Sequence, residues 1–483
     1  MTTTSPAPEP GALRRLAGEV RRGRTGARDL VERSLERIAR HRDLTAVIAE
    51  RAEAARADAD AVDAAVARGE DPGPLAGLPL LVKDNDDVRG LRTTYGSRWF
   101  ADAPPAERDG LVVARLRAAG AIVVGKTNVP EFCIEGYTDN LVFGPTRNPW
   151  NPERSPGGSS GGSAAALAAG LAPIATGTDG GGSVRIPAAF CGLAGYKPTN
   201  GVIGRPTAPD WIDFSTDGFM ATGADDLRTL LGVVAGPVAG DPTALPGPLP
   251  ASGMPTRLVV AERTDELGPL PAEVADAFRA AADRLAALLG TAPELREPGW
   301  FFPGWSPDED WFVLASAEHA SVFGRERIER DAGSLHASAR EFLQSGLAVD
   351  ADAYLAARRR RFAAVARLDG ILGDDAVLVT PTVAAAGWGV DGRLGDGPAG
   401  LLGPEVYSTA IQNVTGLPAV SLPAGLLPDG MPFGLQVTAP RWHDLGLLEL
   451  AARWEAAHPW PRTAPGYEQF GDAPIHPTHP RSS

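Results

Sequence analysis

The sequence predicts an α/β protein in which short strands alternate with helices. Two observations support this fold class. Short apolar runs such as 80–82 and 258–260 are bounded by polar or turn-forming residues, as buried strands are. Longer segments carry apolar residues at helical spacing. In 271–289 these residues share one face, and Gly290 supplies the stop signal at the end of the helix.

The individual elements follow from the same two patterns. Helices are predicted over residues 26–41, 45–68, 111–118, 164–171, 224–234, 271–289 and 444–457. Strands are predicted over residues 80–83, 121–124, 174–176, 258–260, 376–379, 419–422 and 433–437. The Pro- and Gly-rich stretch 236–255 is predicted to cross the surface between two halves of the chain, and the region 300–370 to form a variable helical cap.

The stretch 155–187 organises the rest of the chain. Two Gly-Ser clusters, 157–163 and 179–183, flank an Ala-rich apolar segment and a short strand. A flexible linker is the alternative interpretation of so much Gly and Ser, but linkers seldom carry an apolar helical insert. The pattern favours two tight turns, each presenting a serine, in which glycine lets the backbone approach a ligand closely.

The second cluster has the composition that acyl transfer requires. Successive N–H groups in a glycine-rich turn can converge on one anion, and Ser183 at the end of the run is the candidate nucleophile. Serine needs a base, and none of the seven histidines has a catalytic setting in the sequence. Lys83 ends a buried strand, where burial would lower its pKa and let it act as a neutral base.

Three sequence blocks carry a resemblance to a known family. They are Lys83-Asp84-Asn85, Gly157-Gly158-Ser159-Ser160-Gly161-Gly162-Ser163 and Asp179-Gly180-Gly181-Gly182-Ser183-Val184-Arg185. The chain resembles the amidase signature family, with further similarity at 144–150, 192–201 and 413–419. The resemblance covers residues 10–465, which is most of the chain.

The resemblance implies a mechanism and the residues that perform it. Ser183 would be the nucleophile, Lys83 the general base, and Ser159, preceded by a cis peptide bond, the proton relay. The spacing between the two serines is that of the family. The oxyanion hole would be formed by the backbone N–H groups of Gly180, Gly181, Gly182 and Ser183. The residues that would support this site from behind are Ser160, Asp179 and Arg185.

The resemblance also implies the architecture: one large domain over residues 11–465, with a mixed central β-sheet covered by helices on both faces. Length alone favours two domains. Departures from the family pattern are few. Gly180 replaces the Thr common at its position, Asp86 stands where an apolar residue usually follows Lys-Asp-Asn, and Phe219 and Ala221 alter a later block. None of them removes a catalytic group.

Composition argues against several classes of protein. A net charge of −14 disfavours a nucleic-acid partner. Two cysteines are too few for a disulfide framework or a cysteine metal site. There is no long apolar run for a membrane span and no apolar segment for a signal peptide at the start, so a cytoplasmic location is expected. Residues 1–10 and 466–483 are predicted to be a disordered tail and a loose tail.

Two local features have competing interpretations. Residues 120–127 match the P-loop expression letter for letter, but the variable positions themselves form a predicted strand, so nucleotide binding is not expected. The aromatic residues of 300–312 fit either a packing cluster or a wall of the acyl or amine pocket. The second interpretation suggests a substrate with an apolar or aromatic group.

The expected activity is hydrolysis of a linear carboxylic amide to an acid plus ammonia or an amine, with no metal or organic cofactor. The expected partner is a small-molecule amide, without nucleic acid or membrane, in a homodimer as the commonest oligomer. One alternative is the glutaminase subunit of a tRNA-dependent amidotransferase, although residues 214–218 do not keep its usual Ser-Ser-Leu-Asp-Gln block. The other is a non-catalytic binding protein, although all three catalytic residues are present.

Overall fold

The strands and helices lie in residues 11–208, 210–266, 268–394 and 408–471, which the computed structural model describes. The strands are β1 (Val47–Glu50), β2 (Pro79–Lys83), β3 (Ile122–Thr127), β4 (Ile174–Asp179), β5 (Ala194–Lys197), β6 (Thr216–Ala221), β7 (Arg257–Val260), β8 (Pro293–Leu295), β9 (Ala376–Pro381), β10 (Ala419–Leu426) and β11 (Pro432–Thr438). The helices are α1 (Ala12–Arg21), α2 (Ala27–Arg40), α3 (Ala52–Ala67), α4 (Leu111–Ala118), α5 (Gly161–Ala168), α6 (Arg185–Cys191), α7 (Ala224–Val234), α8 (Ala272–Leu289), α9 (Pro307–Phe323), α10 (Arg325–Asp331), α11 (Ala337–Ala348), α12 (Ala351–Leu372), α13 (Ala410–Thr415) and α14 (Asp444–Ala457).

The described strands form one mixed sheet. Its order is β1-β3-β2-β4-β6-β5-β10-β11-β9-β7-β8. The pairs β2–β3, β2–β4, β7–β8 and β7–β9 are parallel, and the remaining neighbours are antiparallel. Helices flank this sheet along its length. The predicted fold class, a single α/β domain built on a mixed central sheet, is therefore confirmed.

Two neighbouring parallel strands in the interior of the sheet, β2 and β4, position the site. β2 is buried at every residue, and its register places Leu80 beside Ile174 of β4. An apolar run buried on both faces is typical of a parallel strand. Because parallel strands end at the same edge, Lys83 at the end of β2 and Asp179 at the end of β4 emerge side by side.

The segment that matches the P-loop expression is a strand. β3 takes up residues 122–127, every one of them buried, and pairs with β1 on one side and β2 on the other. Its backbone groups are engaged in the sheet and do not form a phosphate-binding loop. The prediction that this match is coincidental agrees with the strand geometry.

One predicted helix is wrong at its start. Residues 45–68 were expected to be a single helix, but Val47–Glu50 form β1, antiparallel to β3, and α3 begins at Ala52. The Ala-rich composition of 52–67 does give a helix. Residues 47–50 instead complete the edge of the sheet, where pairing with β3 overrides local propensity.

The region predicted as a helical cap contains α9 to α12. These helices pack on one another and form a second apolar cluster with Phe132 and Trp211, separate from the main core over the sheet. The predicted tail 1–10 lies outside the described residues. At the other end, Phe470 is buried in the main core and Arg37 donates to the carbonyl of Glu468 at 2.8 Å. The described part of the predicted loose tail is therefore packed. Within the parts of the chain that the structure covers, no helix is long and apolar enough to span a bilayer.

The close approach of α5 to the loop after β3 gives a test of the fold. A Cβ added at Gly162, in the first turn of α5, would lie 2.4 Å from the backbone nitrogen of Asn128. We expect Gly162→Ala to lower the free energy of unfolding by about 1–3 kcal/mol, the usual cost of overpacking. Urea unfolding followed by circular dichroism measures the change.

The matched control is Gly232→Ala in α7, where a Cβ meets no atom within 4 Å. Alanine in an exposed helix raises stability by up to about 1 kcal/mol relative to glycine. The two variants should therefore shift the urea midpoint in opposite directions. Equal shifts would contradict the close packing of α5 on Asn128.

Candidate active site

The residues singled out in the sequence converge at one edge of the sheet. Lys83 is the last residue of β2, and the turn after β4 carries Ser183. Ser159 lies just before α5, and the peptide bond between Gly158 and Ser159 is cis, as the resemblance implies. The backbone N–H of Ser160 donates to the carbonyl oxygen of Ser183 at 3.1 Å, which joins the two Gly-Ser clusters directly.

Lys83 is buried completely and its amine contacts hydroxyl groups. Its Nζ lies 2.8 Å from Ser159 Oγ and 2.8 Å from Thr178 Oγ1. No carboxylate lies within salt-bridge distance of this amine among the described residues. Burial lowers the pKa of Lys83 from its usual value, because the charged form loses its hydration. The geometry thus favours a neutral amine that can exchange a proton with Ser159.

The turn that presents Ser183 depends on glycine. Gly182 has a φ of +125°, in the region that glycine alone adopts without strain. A Cβ at this position would also lie 2.1 Å from Oγ1 of Thr409. The turn is therefore closed against α13 and its flanking residue, and Ser183 sits at its end with 9% of its surface exposed.

One of the four predicted oxyanion donors is already engaged. The N–H of Gly182 donates to Oδ1 of Asp179 at 2.8 Å, so it is not free to bind an oxyanion. This corrects the predicted set. The N–H groups of Gly180, Gly181 and Ser183 have no acceptor among the described residues. Three backbone donors therefore remain available around the serine.

A buried ion pair stabilises the turn that carries Ser183. Asp179 and Arg185 are both fully buried, with Arg185 Nε and Nη2 2.9 and 2.8 Å from the carboxylate oxygens. Burial alone would raise the pKa of Asp179, but the Arg185 guanidinium outweighs it and lowers that pKa to about 2. Arg185 also donates to the side-chain oxygens of Gln412, Asn413 and Gln436. Its polar groups are thus satisfied without water.

Ser160, the third predicted supporting residue, has a weaker role. Its hydroxyl donates to the carbonyl oxygen of Thr178 at 3.4 Å, near the limit for a hydrogen bond. Its stronger contribution is the backbone N–H that holds the carbonyl of Ser183. The predicted placement of Ser160, Asp179 and Arg185 around the turn thus agrees with their contacts.

Two cavities meet at Ser183. The first, called here the polar chamber, has a volume of about 930 Å³ and includes Asn85, Ser159 and Thr178 in its wall. The second, called here the aromatic pocket, has a volume of about 500 Å³. Cys133, Ser183 and Trp211 line both. A molecule seated on Ser183 therefore has one compartment on either side of it.

The aromatic cluster predicted at 300–312 divides between two roles. Trp311 and Phe312 of α9 line the aromatic pocket together with Phe342. Phe301 and Phe302 are buried in a separate apolar cluster over β7 and β9. The packing interpretation therefore fits Phe301 and Phe302, and Trp311 and Phe312 line a cavity beside Ser183, while its use as an acyl or amine pocket stays a prediction.

Several residues of the site carry no signal in the sequence. Thr178 holds the Lys83 amine, and Trp211 and His319 line the polar chamber. Phe132 and Cys133 have φ values of 54° and 60°, a conformation rare for such side chains. Thr178 directly precedes the second Gly-Ser cluster but is not among the predicted site residues, and the other residues belong to segments without a recognisable motif, so the folded chain alone brings them together.

Similarity to known proteins identifies the family of this chain. The family model described as Amidase matches residues 29–448. The putative amidase AmiB2 of Mycobacterium tuberculosis is 36% identical over 434 residues, covering 85% of this chain and 88% of that protein. A glutamyl-tRNA(Gln) amidotransferase subunit of Synechococcus sp. strain WH7803 is 36% identical over 478 residues, covering 92% of this chain and 96% of that protein.

A solved structure agrees with these matches. A bacterial aryl acylamidase of the amidase signature enzymes superposes with a TM-score of 0.82 at 26% identity, covering 92% of this chain and 95% of that one. The fold and the site define a hydrolase that acts on C–N bonds. The chain belongs to the amidase signature family, whose members hydrolyse amides.

The buried ion pair makes a testable contribution to stability. Arg185→Met would leave the Asp179 carboxylate buried without its cation, which typically costs about 3–5 kcal/mol. We expect a correspondingly large fall in the melting temperature, measured by differential scanning calorimetry.

Arg279→Met is the matched control, because it removes the same group from an ion pair with Glu262 at the surface, where 59% of the Arg279 side chain is exposed. Solvent screening makes such pairs weak, so this variant should melt close to the wild type. A similar melting temperature for both variants would contradict the role assigned to Arg185.

Proposed function

We propose that this chain hydrolyses a linear, small-molecule carboxylic amide to an acid and ammonia or an amine, through an acyl-enzyme on Ser183. The observation that supports this best is the 2.8 Å contact between Lys83 Nζ and Ser159 Oγ, at the sheet edge that carries the Ser183 turn. The proposed steps use no metal or organic cofactor. The homodimer suggested by base rates stays a prediction.

The first step forms the acyl-enzyme. Ser183 transfers its hydroxyl proton to Ser159 Oγ while Ser159 passes its own proton to the neutral amine of Lys83. The Ser183 oxygen forms a bond to the carbonyl carbon, and the carbonyl oxygen takes up the negative charge. When the C–N bond breaks, Ser159 gives a proton to the departing nitrogen and regains one from Lys83. Protons therefore balance over the cycle.

The second step releases the acid. Water gives a proton to Ser159, and so to Lys83, as its oxygen attacks the acyl carbon. The bond between the acyl carbon and the Ser183 oxygen then breaks. Ser159 gives a proton to that oxygen and regains one from Lys83. In both steps the free N–H groups of Gly180, Gly181 and Ser183 are the candidate donors to the oxyanion, and each donor of this kind is worth about 2.7–4 kcal/mol of barrier.

The neutral state of Lys83 gives the proposed pH dependence its sign. Burial lowers the pKa of this amine, so the basic form is present at a lower pH than for an exposed lysine. The rate should therefore rise with pH as Lys83 loses its proton. His319 does not offer an alternative base, because burial lowers its pKa to about 4 and its ring nitrogens have no partner among the described residues.

The glutaminase subunit of a tRNA-dependent amidotransferase is the second candidate. The 36% identity to such a protein over almost the full chain favours it. Against it, the block at 214–218 does not match, and the aromatic pocket offers an apolar surface that the side chain of glutamine does not need. Glutamine hydrolysis stimulated by a co-purifying partner protein would support this candidate.

The mechanism is tested without knowing the substrate. A fluorophosphonate should form one adduct, on Ser183, identified by intact mass and peptide mapping. Lys83→Met should slow labelling by about 10²–10⁴-fold, the usual contribution of a general base. Ser159→Ala should slow it to a similar degree, because the relay between the two groups is broken.

Ser160→Ala is the matched control: the same substitution one residue away, at a hydroxyl whose hydrogen bond is 3.4 Å long. It should slow labelling far less than Ser159→Ala. Circular dichroism confirms that each variant folds. The proposal would be wrong if the adduct formed elsewhere, or if all three variants were labelled at the wild-type rate. No adduct at all would favour the non-catalytic alternative.

A further inference from the structure

The polar chamber is strongly acidic. Its wall contains the carboxylates of Asp86, Asp87, Glu107, Asp109, Asp210 and Asp217 against the guanidinium groups of Arg108 and Arg205. Asp109 is neutralised by Arg117, whose Nη1 lies 2.9 Å away. Asp86 and Asp217 have no cationic side chain within salt-bridge distance among the described residues. Carboxyl groups without a paired cation therefore lie in the wall that continues from Ser183.

The chamber lies on the side of the site that handles the leaving nitrogen. In the proposed mechanism Ser159 protonates this nitrogen, so the nitrogen must lie within hydrogen-bond reach of Ser159 Oγ. Ser159 lines the polar chamber and does not line the aromatic pocket, which its neighbour Gly158 contacts instead. The amine portion of the amide therefore extends into the polar chamber, and the acyl portion into the aromatic pocket.

The other walls of the chamber also suit a cation. Tyr95, Phe132 and Trp211 present aromatic rings, which attract ammonium groups. His319 is 3% exposed, and both of its ring nitrogens lack a partner among the described residues. Since the buried imidazole is neutral, one nitrogen offers a free lone pair. An ammonium group can donate to this acceptor, while the other ring nitrogen of His319 keeps its N–H.

We propose that the polar chamber selects amides whose leaving amine carries a second, positively charged group, such as a diamine, and that Asp86 is the residue that recognises this charge. The proposal rests on the function proposed above, since it assigns the two halves of the substrate of that reaction. The acyl half is apolar or aromatic and is held by Trp311 and Phe312. The preferred substrate therefore joins an apolar acyl group to a cationic amine.

The electrostatic environment of Asp86 favours the binding of a cation in the polar chamber. Burial, and then the nearby charge of Asp217, raise the pKa of Asp86 to about 7. An ammonium group beside Asp86 would offset this repulsion by its attraction to the carboxylate. The chamber thus favours a cation over a neutral group of the same size.

The test compares two amides of phenylacetic acid, the N-butyl and the N-(4-aminobutyl) amide. They share the acyl group and differ by one terminal ammonium. Wild-type kcat/KM should be higher for the cationic amide by about tenfold or more, the effect of one charge-assisted hydrogen bond. Asp86→Asn keeps the shape of the side chain and should remove most of this preference, while the N-butyl amide changes much less.

Asp308→Asn is the matched control. Asp308 is a buried carboxyl in the wall of the aromatic pocket, on the other side of Ser183. Because the two amides share their acyl group, this variant should change both rates by the same factor and keep the preference. Equal kcat/KM for the two amides in the wild type would overturn the proposal, and so would a preference that survives Asp86→Asn. In either case hydrolysis itself, and hence the proposed function, would stand.

A second measurement tests the proposal where both amides are hydrolysed too slowly for their rates to be compared. The rate at which a fluorophosphonate labels Ser183 is measured with 1,4-diaminobutane or with butane-1,4-diol at equal concentration. The diamine should protect Ser183 where the diol does not, and Asp86→Asn should abolish the protection. Equal protection by both compounds would overturn the proposal. A complete lack of labelling and hydrolysis would instead contradict the proposed function, and this inference with it.

The preference should also depend on pH. Asp86 is neutral below its pKa of about 7 and charged above it. The ratio of kcat/KM for the cationic and neutral amides should therefore rise between pH 6 and 8, and this rise should vanish in Asp86→Asn. Deprotonation of Lys83 changes both rates equally and cancels in the ratio.

The other charged groups that act on Asp86 or line its chamber are Asp87, Glu107, Arg108, Asp109, Lys126, Arg205, Asp210 and Asp217. A ratio that falls or stays constant over this range would contradict the role of Asp86.

Discussion

The buried pair of Asp179 and Arg185 is the constraint on which the site depends. Removing two such ions from water costs several kcal/mol each, and the interior compensates only if every donor and acceptor is matched. Here the Asp179 carboxylate also accepts from the N–H of Gly182, while Arg185 reaches side chains of α13 and β11. The turn after β4 is therefore tied to distant parts of the chain, and Ser183 is held in one place.

Two buried lysines on neighbouring strands, Lys83 and Lys126, differ in the groups that their amines contact, and this difference bears on the proposed role of Lys83 as the base. Lys126 of β3 pairs with Val82 in register, so it points to the opposite face from Lys83. Its amine lies 2.7 Å from the carboxylate of Asp84, a buried ion pair that serves structure. The Lys83 amine lies within hydrogen-bond distance of hydroxyl and carbonyl oxygens and also interacts with the Cys133 thiol, while no carboxylate of the described chain forms a salt bridge with it. Without a carboxylate to hold its charge, burial is free to favour the neutral amine.

Motifs and periodicity predict seven of the eleven described strands and the positions of Lys83, Ser159 and Ser183, because each of these features is encoded over a few neighbouring residues. The start of the predicted helix 45–68 is wrong, since an edge strand exists only once its partner is in place. The polar chamber could not be predicted at all. Its wall joins residues 85–87, 107–112 and, further along the chain, Arg205, Asp210 and Asp217, and the concentration of carboxyl groups there exists only after folding. Asp86 is unusual in the sequence itself, but the acidic residues that surround it are not.

A few aromatic side chains form the boundary between the polar chamber and the aromatic pocket. Trp211 lines both, packs edge to face on Trp311 at 5.6 Å, and lies 5.7 Å from the ring of His319. Trp311 and His319 both belong to α9, where they contribute to the aromatic pocket and to the polar chamber respectively. The indole N–H of Trp311 also donates to the carbonyl of Gly180 at 2.7 Å. One helix therefore lines both cavities and contacts the turn that carries Ser183, so under the proposed mechanism a change in α9 would affect the acyl and the amine preference together.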